Sequence, residues 1–218
     1  SFLGRVTSLH TRAGTVTNCL FNSQNGFNSL VRSDATLTSL TMTNCVLWSA
    51  NQLSFPISDM GKTMVLNHSL VQGGWTGLRA NNIDVDPLFV NEFGPDGTPA
   101  TGDEDLSLNA GSPCIDAGDN NAIPPGLLTD LAGNIRRIDD SATPDTGVGL
   151  CAIVDMGPYE FQDGAGEADS DADGVCDSVD ICPGFNDNLD ADADGLPDDC
   201  DACPTIATGD VNADTFVE

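Results

Sequence analysis

The sequence predicts an all-β protein: a solenoid of short strands, a terminal β module behind it, and an irregular acidic tail. Three observations carry that expectation. Short runs rich in Thr, Val and Leu recur along residues 1–80, with apolar and polar residues alternating inside each. Gly- and Pro-punctuated β segments fill residues 81–162. From residue 163 onward the chain carries 17 acids and no Lys or Arg.

The repeat comes first. "TVTNCLFNSQ", "TMTNCVLWSA" and "MVLNHSLVQGG" align on Asn18, Asn44 and Asn67. Short β runs at a period in the low twenties signal stacked turns, none of which can bury its inward face alone. Asn18, Asn44 and Asn67 are expected to form an asparagine ladder at a bend, each amide bonding to the turns above and below. Cys19 and Cys45 fall one above the other. Neighbouring parallel strands, about 4.8 Å apart, suit either a disulfide or a ladder of buried thiols. The only acids here are Asp34 and Asp59, far apart in sequence, and His10, His68 and Lys62 lack evident partners. Trp48 and Trp75 suit capping of the core better than stacking on sugars. No catalytic residue is assigned, because paired carboxylates for glycoside hydrolysis are not visible.

These residues resemble the right-handed parallel β-helix family, which includes secreted polysaccharide lyases, glycosidases, adhesins and surface proteins. The resemblance implies the fold more strongly than an activity. Further along, "NCVLWSANQ", "SLVQGGWTGLRANNIDVDPLF", "AGSPCIDAG", "TDLAGNIRRID" and "VDMGPYEF" occur in order. Together they closely resemble the choice-of-anchor Q domain, which ends extracellular bacterial β-helix proteins just before a variable surface anchor. Within residues 81–162, Cys114 and Cys151 are the only cysteines. A bridge between them would close a 38-residue loop, giving about 4 kcal/mol in the chain-entropy model. Arg136 and Arg137 stand among Asp130, Asp139, Asp140 and Asp155, so an internal Arg–Asp pair is expected to lock the module. Asp84, Asp86, Asp103, Glu104 and Asp105 are an undiagnostic set of further cation ligands.

The tail holds the strongest chemical signal. Counting from Asp169, carboxylates fall at loop positions 1, 3 and 5 (Asp169, Asp171, Asp173), and Gly174 stands at 6. Val175 offers a carbonyl at 7, Asp177 fills 9 and Asp180 fills 12. A second copy begins 21 residues later: Asp190, Asp192, Asp194, Gly195, Leu196, Asp198, Asp201. Alternate side chains at this spacing converge on one hard cation, and the glycine permits the sharp turn, as in an EF-hand calcium loop. Helices cannot flank these loops, because Cys182, Pro183, Cys200, Cys203 and Pro204 punctuate them. The repeat resembles thrombospondin type 3 repeats, in which calcium and disulfides replace an apolar core. That resemblance implies a Cys182–Cys200 bridge; Cys176 departs from the family's position, and Cys203 is its nearest candidate partner. A zinc site at Cys200–Cys203 is the alternative, disfavoured by the crowd of carboxylates. A third start at Asp210, Asn212 and Asp214 resembles a dockerin loop, but Thr215 replaces the glycine.

The expected layout is β-helix turns at 1–80, the choice-of-anchor-Q-like module at 81–162, thrombospondin type 3-like calcium repeats at 163–205 and a partial dockerin-like tail at 206–218. The formal net charge of −27 excludes nucleic acid and anionic membranes as natural partners, and no run of 18 apolar residues spans a bilayer. Ca²⁺ is the expected cofactor. Eight cysteines, half of them within the acidic loops, suit an oxidising, extracellular setting. The chain opens in mid-pattern and stops inside a motif, as expected for a piece of a longer precursor. The expected function is a non-catalytic, calcium-binding structural or adhesive protein of the bacterial surface. Its partners would be a surface anchor or other copies of itself, assembling head to tail into filaments. The competing expectation is a polysaccharide-binding or polysaccharide-degrading β-helix enzyme whose groove lies on other turns.

Overall fold

The computed structural model of the chain describes residues 4–6, 13–22, 31–32, 39–49, 57–58, 63–99 and 101–162. In the tail it describes 175, 177, 180–187, 189–193 and 195–201. It is strand-rich, with parallel sheets and no α-helix among the described residues; no helix is long and apolar enough to cross a membrane. The chain divides into two compact units, Ser1–Gly166 and Glu167–Glu218.

Twelve strands lie among the described residues of the first unit: β1 (Gly4–Val6), β2 (Ala13–Thr17), β3 (Cys19–Phe21), β4 (Val31–Arg32), β5 (Ser39–Thr43), β6 (Val46–Leu47), β7 (Ile57–Ser58), β8 (Thr63–Asn67), β9 (Leu70–Val71), β10 (Leu78–Ala80), β11 (Phe89–Asn91) and β12 (Asp105–Leu108). One parallel sheet runs β1-β3-β6-β9 and a second runs β10-β8-β5-β2. β4 and β7 pair in parallel, and β11 and β12 form an antiparallel pair. Leu20 pairs with Val46 and Val46 with Leu70, so the repeat steps are 26 and 24 residues.

Alternation sorts the side chains on these strands. Cys19, Phe21, Cys45, Leu47 and Val71 face a core shared with Val16, Met42 and Leu66 of the other sheet. The intervening Leu20, Val46 and Leu70 point the opposite way, yet they too are buried. They form a second core with Leu106, Leu108, Ile115 and Met156. Residues 81–162 thus cover the outer face of the first sheet and share a core with the repeat. Cys19 and Cys45 are buried thiols, and burial, with Cys19 beside it, pushes the Cys45 thiol up. Of the two arrangements open to this pair, the thiol ladder is the one present. Trp48 packs on the second core and donates to Glu92 at 3.0 Å, while Trp75 packs against the first.

The bend between paired strands is left-handed. Asn18, Asn44, His68 and Asn81 have φ of 51°, 55°, 44° and 54°. Asn tolerates this region because its short amide avoids the clash that a branched side chain would meet. Backbone bonds continue through the bend: Asn18 N–H donates to Thr43, Asn44 N–H to Asn67, and His68 N–H to Ala80.

Two features of the expected ladder are corrected here. Asn67 is the last residue of β8, paired with Thr43, and the third rung is His68. The second repeat step is 24 residues, so aligning on asparagine misplaces the bend by one. The amides also do not bond rung to rung between Asn18 and Asn44. Asn18 is buried with neither amide atom hydrogen-bonded. Asn44 instead clamps the Asp119 backbone, donating to its carbonyl at 2.9 Å and accepting its N–H at 2.7 Å. A side-chain rung contact occurs at the next step, where Asn81 Nδ2 sits 2.7 Å from His68 Nε2.

Burial holds the His68 imidazole below its ordinary pKa, although Asp119 pulls the other way. As pH falls, the unfolded chain therefore takes up this proton before the folded one does, and acid erodes stability through His68. A His68→Asn variant keeps the bend without the titration. Its advantage in melting temperature over the parent should be larger at about pH 5 than at about pH 8; an advantage independent of pH would refute the assignment.

Candidate metal centre

Of the first acidic loop, Val175, Asp177 and Asp180 are described; Asp169, Asp171 and Asp173 lie outside the described residues, as do Cys176, Asp194, Cys203, Asp210, Asn212 and Asp214. The second loop is more complete. Gly195, at position 6 with φ 93°, donates its N–H to Asp190 Oδ2 at 2.9 Å. This bond folds the loop back on its first carboxylate, which only a residue free to adopt positive φ permits. Across the loop, Ala191 N–H donates to Asp198 Oδ1 at 2.8 Å, and Asp198 N–H reaches the Leu189 carbonyl. Asp190 Oδ1, Asp192 Oδ2 and Asp201 Oδ2 are shut off from solvent, and Asp190 Oδ1 accepts no hydrogen bond. Leu196, at position 7, follows Gly195 in the same bend and is exposed.

Cys182 and Cys200 are disulfide-bonded, with Cα atoms 5.6 Å apart, as the thrombospondin type 3 resemblance implies. Asp180, at position 12 of the first loop, accepts from Cys182 N–H at 2.7 Å. Asp187 accepts from both Ile181 and Cys182 N–H groups. Asp187 falls outside the twelve-residue register. A cysteine pairing expected in the first unit is corrected: Cys114 is a buried thiol and Cys151 is disulfide-bonded elsewhere, to a partner outside the described residues. Cys114 packs in the second core, where burial, and then the charge of Asp155, push its thiol up.

Among the described residues, no three tail carboxylates draw their oxygens within 4.8 Å of one another. The acids that do are Asp116, Asp139 and Asp145 of the first unit, and such a cluster can hold a metal ion. Three segments deliver them. Asp116 lies in a left-handed turn with φ 51°, its N–H donating to Asp155 Oδ1 at 2.9 Å. Its carbonyl accepts the N–H groups of Thr146 and Gly147 at 2.9 and 3.0 Å, which docks the Asp145 loop alongside. Gly147 has no room for a side chain, since a Cβ would run into the Gly118 carbonyl oxygen. Asp140 orders the turn carrying Asp139 by accepting from Ala142 N–H and Thr143 Oγ1.

The neighbouring core is a network of buried charges. Arg136, fully buried, donates through Nη2 to the carbonyls of Asp155 (3.1 Å) and Gly157 (2.7 Å). Its carboxylate partner is Glu160, at 3.6 Å from Nη1. The locking pair expected from sequence is therefore Arg–Glu; Asp155 contributes its carbonyl, while its carboxylate accepts from Asp116 and Phe161 N–H groups. Asp130 accepts from Ala132, Asn134 and Glu160 N–H groups. Burial pushes Asp155 up to about 7, against the opposing pull of two backbone amides and Arg136. Burial, and then the charge of Asp155, also raise Glu160.

The remaining acids suggested as cation ligands serve turns. Asp84 accepts from Gly73 N–H, Asp86 from Leu88 N–H and Asp105 from Ser107 N–H. Asp103 takes the Thr101 hydroxyl, and Glu104 takes the Thr101 and Gly102 amides. Asp116 and Asp145 escaped the sequence reading because no regular spacing links residues 116, 139 and 145; only the packing of three loops joins them.

No family model matches this chain, and neither a curated protein nor a solved structure matches it.

Removing Arg136 while leaving Glu160 and Asp155 buried strands two carboxylates without a cation. Arg136→Leu should cost about 3–5 kcal/mol in chemical unfolding. A loss below about 1 kcal/mol would show that the network does not hold the module together.

Proposed function

We propose that the chain belongs to a secreted, non-catalytic structural or adhesive protein of a bacterial surface. In this reading its stacked strands are the end of a right-handed parallel β-helix, residues 81–162 are a choice-of-anchor-Q-like module, and the tail is a calcium-stiffened strut. The observation that carries the reading is the second acidic loop. Its position-1 aspartate, Asp190, is closed by the position-6 glycine N–H, its position-9 aspartate by Ala191, and Cys182–Cys200 clamps its end. A segment with so many acids and no basic residue repels itself unless a cation intervenes, and a hard divalent ion suits its oxygen donors. A disulfide of this kind fits an oxidising compartment.

Filament formation rests on the edges. β1 and β2 end their sheets among the described residues, and the end of a parallel stack is where further turns or another copy can add. Electron microscopy with and without calcium tests the proposal on the protein at neutral pH. Fibres present in millimolar Ca²⁺ should dissolve in excess chelator. In calorimetry, Asp190→Asn should lose one calcium-binding event relative to the parent. Fibres that persist unchanged in chelator, or calcium uptake unaltered by Asp190→Asn, would overturn it.

A second reading, polysaccharide binding, has one specific observation behind it: an open groove of about 560 Å³ bordered by Tyr159, Phe161, Asp105 and Asn134. Two aromatic rings beside polar groups can stack a sugar. New reducing ends or unsaturated products from pectin or alginate would move the protein to the enzyme class.

A further inference from the structure

We propose that Asp116, Asp139 and Asp145 form a second kind of calcium site, in the first unit, which locks the loop over residues 139–148 onto the left-handed turn at Asp116. This site is separate from the tail loops and follows no linear register.

The donor set is all carboxylate oxygen, which selects a hard cation over zinc or copper. The oxygens lie within 4.8 Å of one another, the spread that two ligands on opposite sides of one Ca²⁺ ion span at roughly 2.4 Å each. A second and independent observation points to a ligand. Asp116 is 0% exposed, and neither of its carboxylate oxygens accepts a hydrogen bond of normal geometry. A buried carboxylate in that condition is costly, because nothing replaces the water it gave up. The buried cation nearby cannot serve, since Arg136 is committed to Glu160 and to two carbonyls.

Burial grades outward across the site, from Asp116 through half-buried Asp139 to exposed Asp145. An ion can therefore enter from solvent and retain water on that side. Ca²⁺ accepts such irregular, loop-built coordination, whereas Mg²⁺ demands a tight octahedron and dehydrates reluctantly. A bound ion would add a direct tie among three segments already docked by the Thr146 and Gly147 N–H groups on the Asp116 carbonyl. Through Asp119, clamped by Asn44, it would also brace the module against the repeat.

The test uses the full chain and Ca²⁺ alone, with Asp145→Asn and Asp139→Asn as site variants and Asp190→Asn as the tail control. Saturation at about a hundredfold excess over Kd should raise the parent's melting temperature by roughly 5–10 °C in the transition of the first unit. Each site variant should lose that rise and one calorimetric Ca²⁺ equivalent, while Asp190→Asn keeps the rise. Asp116→Asn should melt higher than the parent without calcium, because it removes a stranded buried charge, and should no longer respond to calcium. Asp145 is exposed, so its variant is informative even if Asp116→Asn fails to fold. Unchanged stoichiometry and melting response in Asp139→Asn and Asp145→Asn would overturn the proposal. Equal protection by Mg²⁺ at the same concentration would overturn the assignment to Ca²⁺. Failure of the tail reading shows up separately, as calcium uptake unaffected by Asp190→Asn.

Discussion

The left-handed bend that ends each long strand of the repeat is the constraint on which the first unit depends. Asn18, Asn44, His68 and Asn81 all take positive φ, and the bend N–H of the first three reaches the next strand's terminal carbonyl. Turning the chain in a single residue puts Cys19 and Cys45 into one core and Leu20, Val46 and Leu70 into another. Without that corner the β1-β3-β6-β9 sheet could not present both faces to apolar cover. The bend also does double duty at Asn44, whose amide is spent on the Asp119 backbone, with Gly157 N–H on its carbonyl. One residue thus sets the fold of a turn and the seat of the module beside it.

Charge is the second organising problem. Residues 81–162 contain 15 acids and two arginines, and one of those arginines is buried. Most of the buried acids are neutralised locally by backbone amides: Asp130 takes three, Asp155 two, Glu160 two. Amide donors offset part of the cost of burying these carboxylates, though burial still raises Asp155 and Glu160. Asp116 stands apart, with a buried carboxylate that no such donor satisfies. The same logic runs through the tail in miniature, where Asp180, Asp187, Asp190 and Asp198 accept backbone N–H groups. Acid-rich loops here are structured by their own backbone first, and an ion would complete that arrangement.

Strand content, the parallel stacking of the repeat and the twelve-residue register of the acidic loops were legible in the chain because each is a local periodicity. The Cys182–Cys200 bridge followed from a family likeness carried by the same register. Aligning the repeat on asparagine identity failed at the third rung, since φ near +50° suits His68 at the bend while Asn67 completes a strand. Cys114 and Cys151 looked like partners only because they were neighbours in a count; packing sent one into the second core as a thiol and the other into a different bridge.

By itself, the order of residues determined which segments alternate, where the chain must turn and where carboxylates crowd at ligand spacing. These are properties of stretches shorter than about a dozen residues, fixed by side-chain period and backbone freedom. Tertiary structure alone decided which faces became core, that Arg136 chose Glu160, that Asn44 reached Asp119 across 75 residues, and that Asp116, Asp139 and Asp145 meet. Such meetings depend on burial and on the docking of loops distant in sequence, where desolvation and unpaired donors make one arrangement cheaper than its rivals. No linear pattern records that comparison.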